Sequence, residues 1–153
     1  MRRGGAERLS ETTEGEIFVV VHSLAEACAA LAAARAVGRV VTLASAPGAG
    51  GYAGAGWFRA LVECAAGEVP GAGGDAILDC AAEAGTVLAA LRAGMKRLRF
   101  TGSEAAASRL AEIAAAQGAR LTRAALAPAL DLAGCAAPEA ACRAFLARNG
   151  SGA

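Results

Sequence analysis

The sequence predicts an α/β fold: about five mostly parallel strands flanked by helices. Three observations carry that prediction. Short runs of strand length recur, at Ile17-Phe-Val-Val-Val21, Arg39-Val-Val-Thr-Leu-Ala44, Ala76-Ile-Leu-Asp79, Arg97-Leu-Arg-Phe-Thr101 and Ala119-Arg-Leu-Thr122. Alanine-rich stretches of helical length separate most of them. Gly38, Gly94 and Gly118 stand where a helix must stop before the next strand begins. Strands alternating with helices build right-handed βαβ units, and these give a parallel sheet.

Residues 1–15 are polar, without apolar period, and are expected to form a disordered tail. The run 17–21 is continuously apolar, as in a strand covered on both faces. Ser23-Leu-Ala-Glu26 is a capping box that opens a helix from Leu24 to about Val37. After the second strand, residues 46–56 form a glycine-rich loop, and a helix follows from about Trp57 to Ala66. Val69-Pro-Gly-Ala-Gly-Gly74 is a turn before the third strand. A helix over about Gly85–Ala93 leads to the fourth strand. Ser103 caps a helix that runs to Gln117. The stretch 124–137 has no clear period, and Pro138 suits the first position of a last helix to about Ala147. One domain is expected over 16–148, with a frayed end at 149–153.

At 153 residues the chain fits a single domain with a proper core. Its side chains are 56% hydrophobic, mostly alanine, and only 4% aromatic, so that core depends on close approach of helix and sheet. A net charge of +1 creates no field for nucleic acid or an anionic membrane, and the arginines are not interleaved with aromatics. No apolar run reaches the roughly 18 residues of a membrane span, and the first residues lack the apolar segment of a signal peptide. The five cysteines include no CxxC pair, and three of them fall in apolar helix or strand patterns. That usage fits reduced thiols in a cytoplasmic protein. Lys96, the only lysine, lies between a helix and the start of a strand, away from the expected site.

In a parallel sheet, ligands bind at the carboxyl ends of the strands. Here those ends carry His22 and Ser23, the loop 45–56, Asp79 and Cys80, Thr101 and Ser103, and Thr122 with Arg123. The segments Pro47-Gly-Ala-Gly-Gly-Tyr-Ala-Gly54, Ile77-Leu-Asp-Cys80 and Ala93-Gly-Met-Lys-Arg-Leu-Arg-Phe-Thr-Gly-Ser103 resemble the front half of a class II fructose-bisphosphate aldolase. That family has a serine-x-Gly-Ala-x-x-Tyr-Ala-Gly pattern after its second strand; Gly48, Ala49, Tyr52, Ala53 and Gly54 match it, with Ala46 in place of the serine. Its third strand ends in leucine-aspartate-histidine, where the aspartate donates a proton and the histidine holds the catalytic zinc. Leu78 and Asp79 match, and Cys80 replaces the histidine. Its fourth strand ends in aspartate-Gly-Ser, against Thr101-Gly102-Ser103 here. The likeness spans about residues 17–123. A complete eight-stranded barrel needs about 250 residues, so the resemblance implies a truncated, divergent relative without the family's second half.

Each candidate has a functional and a plain reading. Asp79 is a general acid, or it caps a neighbouring loop. Cys80, His22 and Asp79 would suit zinc as an open three-ligand site, although no cofactor is expected, and a buried thiol is the plain alternative for Cys80. Gly48, Gly50, Gly51, Tyr52 and Gly54, with Ser103, offer amides and a hydroxyl to an anion beside a helix N-terminus, or the glycines serve turn geometry. The loop is no P-loop, since no Gly-Lys-Ser/Thr follows, and no GxGxxG, since the last glycine is missing. The resulting expectation is a non-catalytic aldolase-like protein binding a small anionic metabolite or a protein partner. The alternative is a residual metal-assisted lyase or isomerase acting on a phosphorylated sugar. Two sheet arrangements fit: a flavodoxin-like three-layer sandwich, slightly favoured for an isolated monomer, or an open half (β/α)8 barrel. The half barrel would leave an apolar face and require a homodimer.

Overall fold

The computed structural model describes residues 15–150. Of the tail expected over 1–15 all but Gly15, and of the frayed end expected over 149–153 the last three residues, lie outside the described residues. The strands are β1 (Phe18–Val20), β2 (Val41–Ala44), β3 (Gly74–Asp79), β4 (Arg97–Arg99), β5 (Arg120–Thr122) and β6 (Ala129–Asp131). The helices are α1 (Leu24–Ala36), α2 (Ala49–Tyr52), α3 (Ala55–Glu68), α4 (Ala84–Arg92), α5 (Glu104–Ala116) and α6 (Pro138–Arg148). The strands form one six-stranded sheet in the order β5-β4-β3-β2-β1-β6. β1 to β5 thus follow chain order, as in a barrel segment; the flavodoxin-like order, 2-1-3-4-5, would exchange the first two strands.

Two findings depart from the sequence reading. The unassigned stretch 124–137 holds a sixth strand, β6, parallel to β1 in the register Phe18↔Ala129 to Val20↔Asp131. It is only three residues long and directly follows Pro128, so it carries no apolar alternation to detect. Barrel order also does not leave a bare sheet face. Val41, Thr42, Leu43 and Ala44 are all buried, as are Ile77 to Cys80. Adjacent strand residues point to opposite faces, so both faces of these strands are covered within one chain.

The chain separates into two compact units by its contacts. The first comprises Ser45–Arg59 and Ile77–Ala125. Within it β4 pairs in parallel with β3 and with β5, in the registers Leu78↔Leu98 and Leu98↔Leu121. Its core is Phe58, Ile77, Leu78, Val87, Leu98, Phe100, Leu110 and Leu121. Ser103 caps α5 by accepting the Ala106 amide at 3.2 Å.

The second unit comprises residues 15–44, 60–76 and 126–150. There β1 lies between β2 and β6, parallel to both. Ser23 caps α1 as expected, accepting the Glu26 amide at 3.2 Å, while the Glu26 carboxylate reaches back past the cap to the His22 amide at 3.0 Å. α1 packs on α6, and it presents Ala27, Ala30, Ala33 and Ala34 as buried residues. Side chains this small let the helix approach its neighbours closely. Larger groups, among them Phe18, Leu43 and Leu146, fill the core. Each contributes about 1.5–3 kcal/mol by leaving water.

Candidate functional site

The first unit is organised around Asp79, the last residue of β3. The parallel register sets it beside Arg99 on β4. Only 4% of Asp79 is exposed, and both of its carboxylate oxygens are engaged. Oδ1 accepts the Gly48 amide at 2.9 Å and the Ala81 amide at 2.8 Å. Oδ2 accepts Nη1 of Arg99 at 2.9 Å. The backbone amide of Asp79 donates to Oγ of Ser45 at 2.9 Å, and that hydroxyl donates to the Ala46 carbonyl. Arg99 is fixed in turn by Nε, which donates to the Ala124 carbonyl at 2.8 Å. One carboxylate thus ties the loop after β2, the turn after β3 and the side chain of β4 into one network. Among the described residues no buried side-chain polar atom of the chain lacks a partner.

The turn after β3 explains part of this geometry. Ala81 has φ 49°, a left-handed conformation unusual for a residue with a Cβ. A strained residue of this kind costs of the order of 1–3 kcal/mol and persists only where its surroundings hold it. Here the Asp79 carboxylate binds the Ala81 amide two residues on, as an Asx turn.

The glycine loop is tied down rather than open. Gly48 takes φ 72° and gives its amide to Asp79. Ala49 donates to the Ala46 carbonyl, Gly51 to Gly48, and Ala53 and Gly54 to Ala49. Residues 49–52 form the short helix α2 inside the expected loop. A Cβ on Gly50 would stand 2.8 Å from Cγ2 of Thr86 and 3.2 Å from the Asp79 carbonyl, so this glycine is required by close packing. Tyr52 points to solvent, at 72% exposure. Among the candidates, the Gly48, Gly51 and Gly54 amides are thus engaged within the protein. The first amides of α3, before the Phe58 to Gly54 hydrogen bond, stand outside that set.

Cys80 and Asp79 belong to the first unit and His22 to the second. Cys80 is buried, and burial first, then the Asp79 charge, push its thiol up to about 12. It therefore stays protonated near neutrality and serves as a small core side chain. His22 belongs to the second unit, where Nε2 meets Oδ1 of Asp131 at 2.7 Å. Asp131 also accepts the Ala133 amide at 2.9 Å. Partial burial raises the Asp131 carboxyl, but the Ala133 amide and the His22 ring outweigh it and hold the group below its ordinary value. Among the described residues no three His, Cys, Asp or Glu side chains group as a metal shell would require. Ser103 is an exposed helix cap, and beside it Arg123 donates through Nη2 to the Gly102 carbonyl at 2.7 Å.

Sequence reading missed Ser45, Ala81, Arg99 and Asp131. For Arg99 a signal existed: a charged residue near the end of an otherwise buried strand must find a partner. For Asp131 the signal was a repeat of local pattern. Leu78-Asp79-Cys80-Ala81 and Leu130-Asp131-Leu132-Ala133 both end a strand with an aspartate that accepts the amide of an alanine two residues later. No protein-family model matches the sequence, and comparison with curated proteins finds no match.

Proposed function

We propose that the chain is a non-catalytic class II aldolase-like protein that binds a small anionic metabolite at the strand ends of the first unit. The observation that carries this reading is the engagement of Asp79. A general acid needs a proton and a face turned to substrate; this carboxylate is buried and takes three donors, one of them a guanidinium. The residual lyase reading also needs a thiolate at Cys80, and that thiol is held neutral. What the strand ends offer instead is positive charge. Arg99 is neutralised by Asp79, but Arg123 bonds only a carbonyl and has no carboxylate partner among the described residues. Its guanidinium, the Ser103 hydroxyl and the first amides of α3 are donors suited to phosphate.

Titration with inorganic phosphate and with fructose 1,6-bisphosphate tests this. Both ligands are expected to shift the amide resonances of 55–58, 102–106 and 123, with no aldol cleavage in the presence of zinc or cobalt. Arg123→Gln is expected to weaken binding by about tenfold, the loss of one charge-assisted contact. Turnover abolished by Asp79→Ala, or the absence of shifts at millimolar ligand, would overturn the proposal.

A further inference from the structure

The second unit holds a cavity of about 360 Å³ where the C-terminal end of α1 meets α6, lined by Val37, Arg39, Arg143, Leu146, Ala147 and Gly150. That volume lies at the small end of ligand sites, roughly 300–1,000 Å³. Its chemistry is divided. Val37, Leu146 and Ala147 supply an apolar wall, and Val37 is 45% exposed. Two guanidinium groups stand against that wall. Arg39 is the less compensated one. It donates through Nη1 to the Leu146 carbonyl at 2.9 Å and through Nη2 to the Asn149 carbonyl at 3.4 Å, and it has no carboxylate partner among the described residues. Two carbonyl bonds at the end of α6 leave Nε and further N–H groups of its five donors uncommitted. Arg143 spends one N–H on Glu139 at 2.8 Å, one turn earlier on the same helix, and remains half-exposed.

We propose that this cavity binds a small amphiphilic carboxylate, with its apolar body against Val37, Leu146 and Ala147 and its carboxylate between Arg39 and Arg143. Charge complementarity selects the headgroup: a planar carboxylate matches the guanidinium fork in two parallel hydrogen bonds. The apolar wall selects the body, because a hydrated inorganic anion gains nothing from Leu146. The site belongs to the second unit and is independent of the phosphate reading at Arg123.

The test is an amide-resonance titration of the full chain with octanoate, 1-octanol and inorganic phosphate in parallel. Octanoate is expected to shift residues 37–40 and 143–150 and to bind at least about tenfold more tightly than either comparison compound. Arg143→Gln is expected to weaken octanoate by about tenfold, while leaving phosphate-induced shifts at residues 102–106 unchanged. Arg39 is a poor first target because it also caps α6. Val37→Glu serves as the second variant: it places a negative charge at an exposed rim and is expected to abolish octanoate binding with an unchanged far-UV spectrum. Absence of shifts overturns the proposal. Equal binding of octanol, insensitive to Arg143→Gln, overturns the headgroup assignment. Tighter binding of phosphate than of octanoate in this cavity overturns the amphiphile assignment.

Discussion

Single residues at the strand ends of this protein have been given structural work that their types do not announce. Asp79 is a carboxylate at the carboxyl end of a parallel strand, the usual address of a catalytic acid, and both its oxygens are taken up by Gly48, Ala81 and Arg99. Cys80 beside it is a thiol that burial keeps protonated. Its titration has a definite sign. The folded-state value of about 12 lies above the ordinary 9.0, so the stability it contributes is full below pH 9 and is lost as pH rises towards 12. Reactivity follows the same logic, because only the thiolate attacks an alkylating agent. At pH 8, iodoacetamide is expected to label the exposed Cys64 first. The buried Cys80 and Cys142, pushed up to about 12 and about 11, are expected to react only on unfolding. Peptide mass spectrometry over a time course checks this, and Cys80 labelling as fast as Cys64 would contradict it.

At the scale of elements, what could be read in the sequence was what local chemistry dictates. Ser23 and Ser103 cap the helices they were expected to cap, because a hydroxyl before an apolar run has one obvious task. Pro138 opens the last helix for a similar reason. The glycine loop was legible as a loop but not as an occupied one. The Gly48 amide finds its partner, Asp79, on β3, some thirty residues away, and no local pattern encodes it; the other bonded amides turn back on carbonyls within the loop. Strand β6 escaped because three residues beside a proline carry no period. The loop's glycines now have separate reasons, and Gly50 gives the sharpest test. Gly50→Ala would drive a methyl group into Thr86 and the Asp79 carbonyl. It is expected to cost about 1–3 kcal/mol, as overpacking of a tight contact does. Gly56→Ala, at an exposed position with open space around the added carbon, is expected to be near neutral. Thermal melts of the two variants check the contrast, and equal melting temperatures would contradict it.

At the scale of the whole molecule, an alanine-rich chain reaches a parallel sheet in which β2 and the end of β3 are buried on both faces. Fold class was legible because alternation of strand and helix depends on spacing alone. Strand order was not, because it depends on which edge each crossover joins, and a single sequence does not record that choice. No helix among the described residues is long and apolar enough to cross a membrane. Within this fold we propose that Asp79 serves the architecture rather than chemistry. Equilibrium urea unfolding of Asp79→Asn tests that claim most directly, because the two roles predict opposite signs. Catalytic carboxylates are commonly held at a cost to stability, so removing one tends to be neutral or stabilising. A structural carboxylate paired with a largely buried guanidinium leaves that cation uncompensated when its charge is removed. Asp79→Asn is expected to lose about 3 kcal/mol, largely recovered when Arg99→Met is added to remove the orphaned charge. A variant as stable as the parent, or more stable, would contradict it.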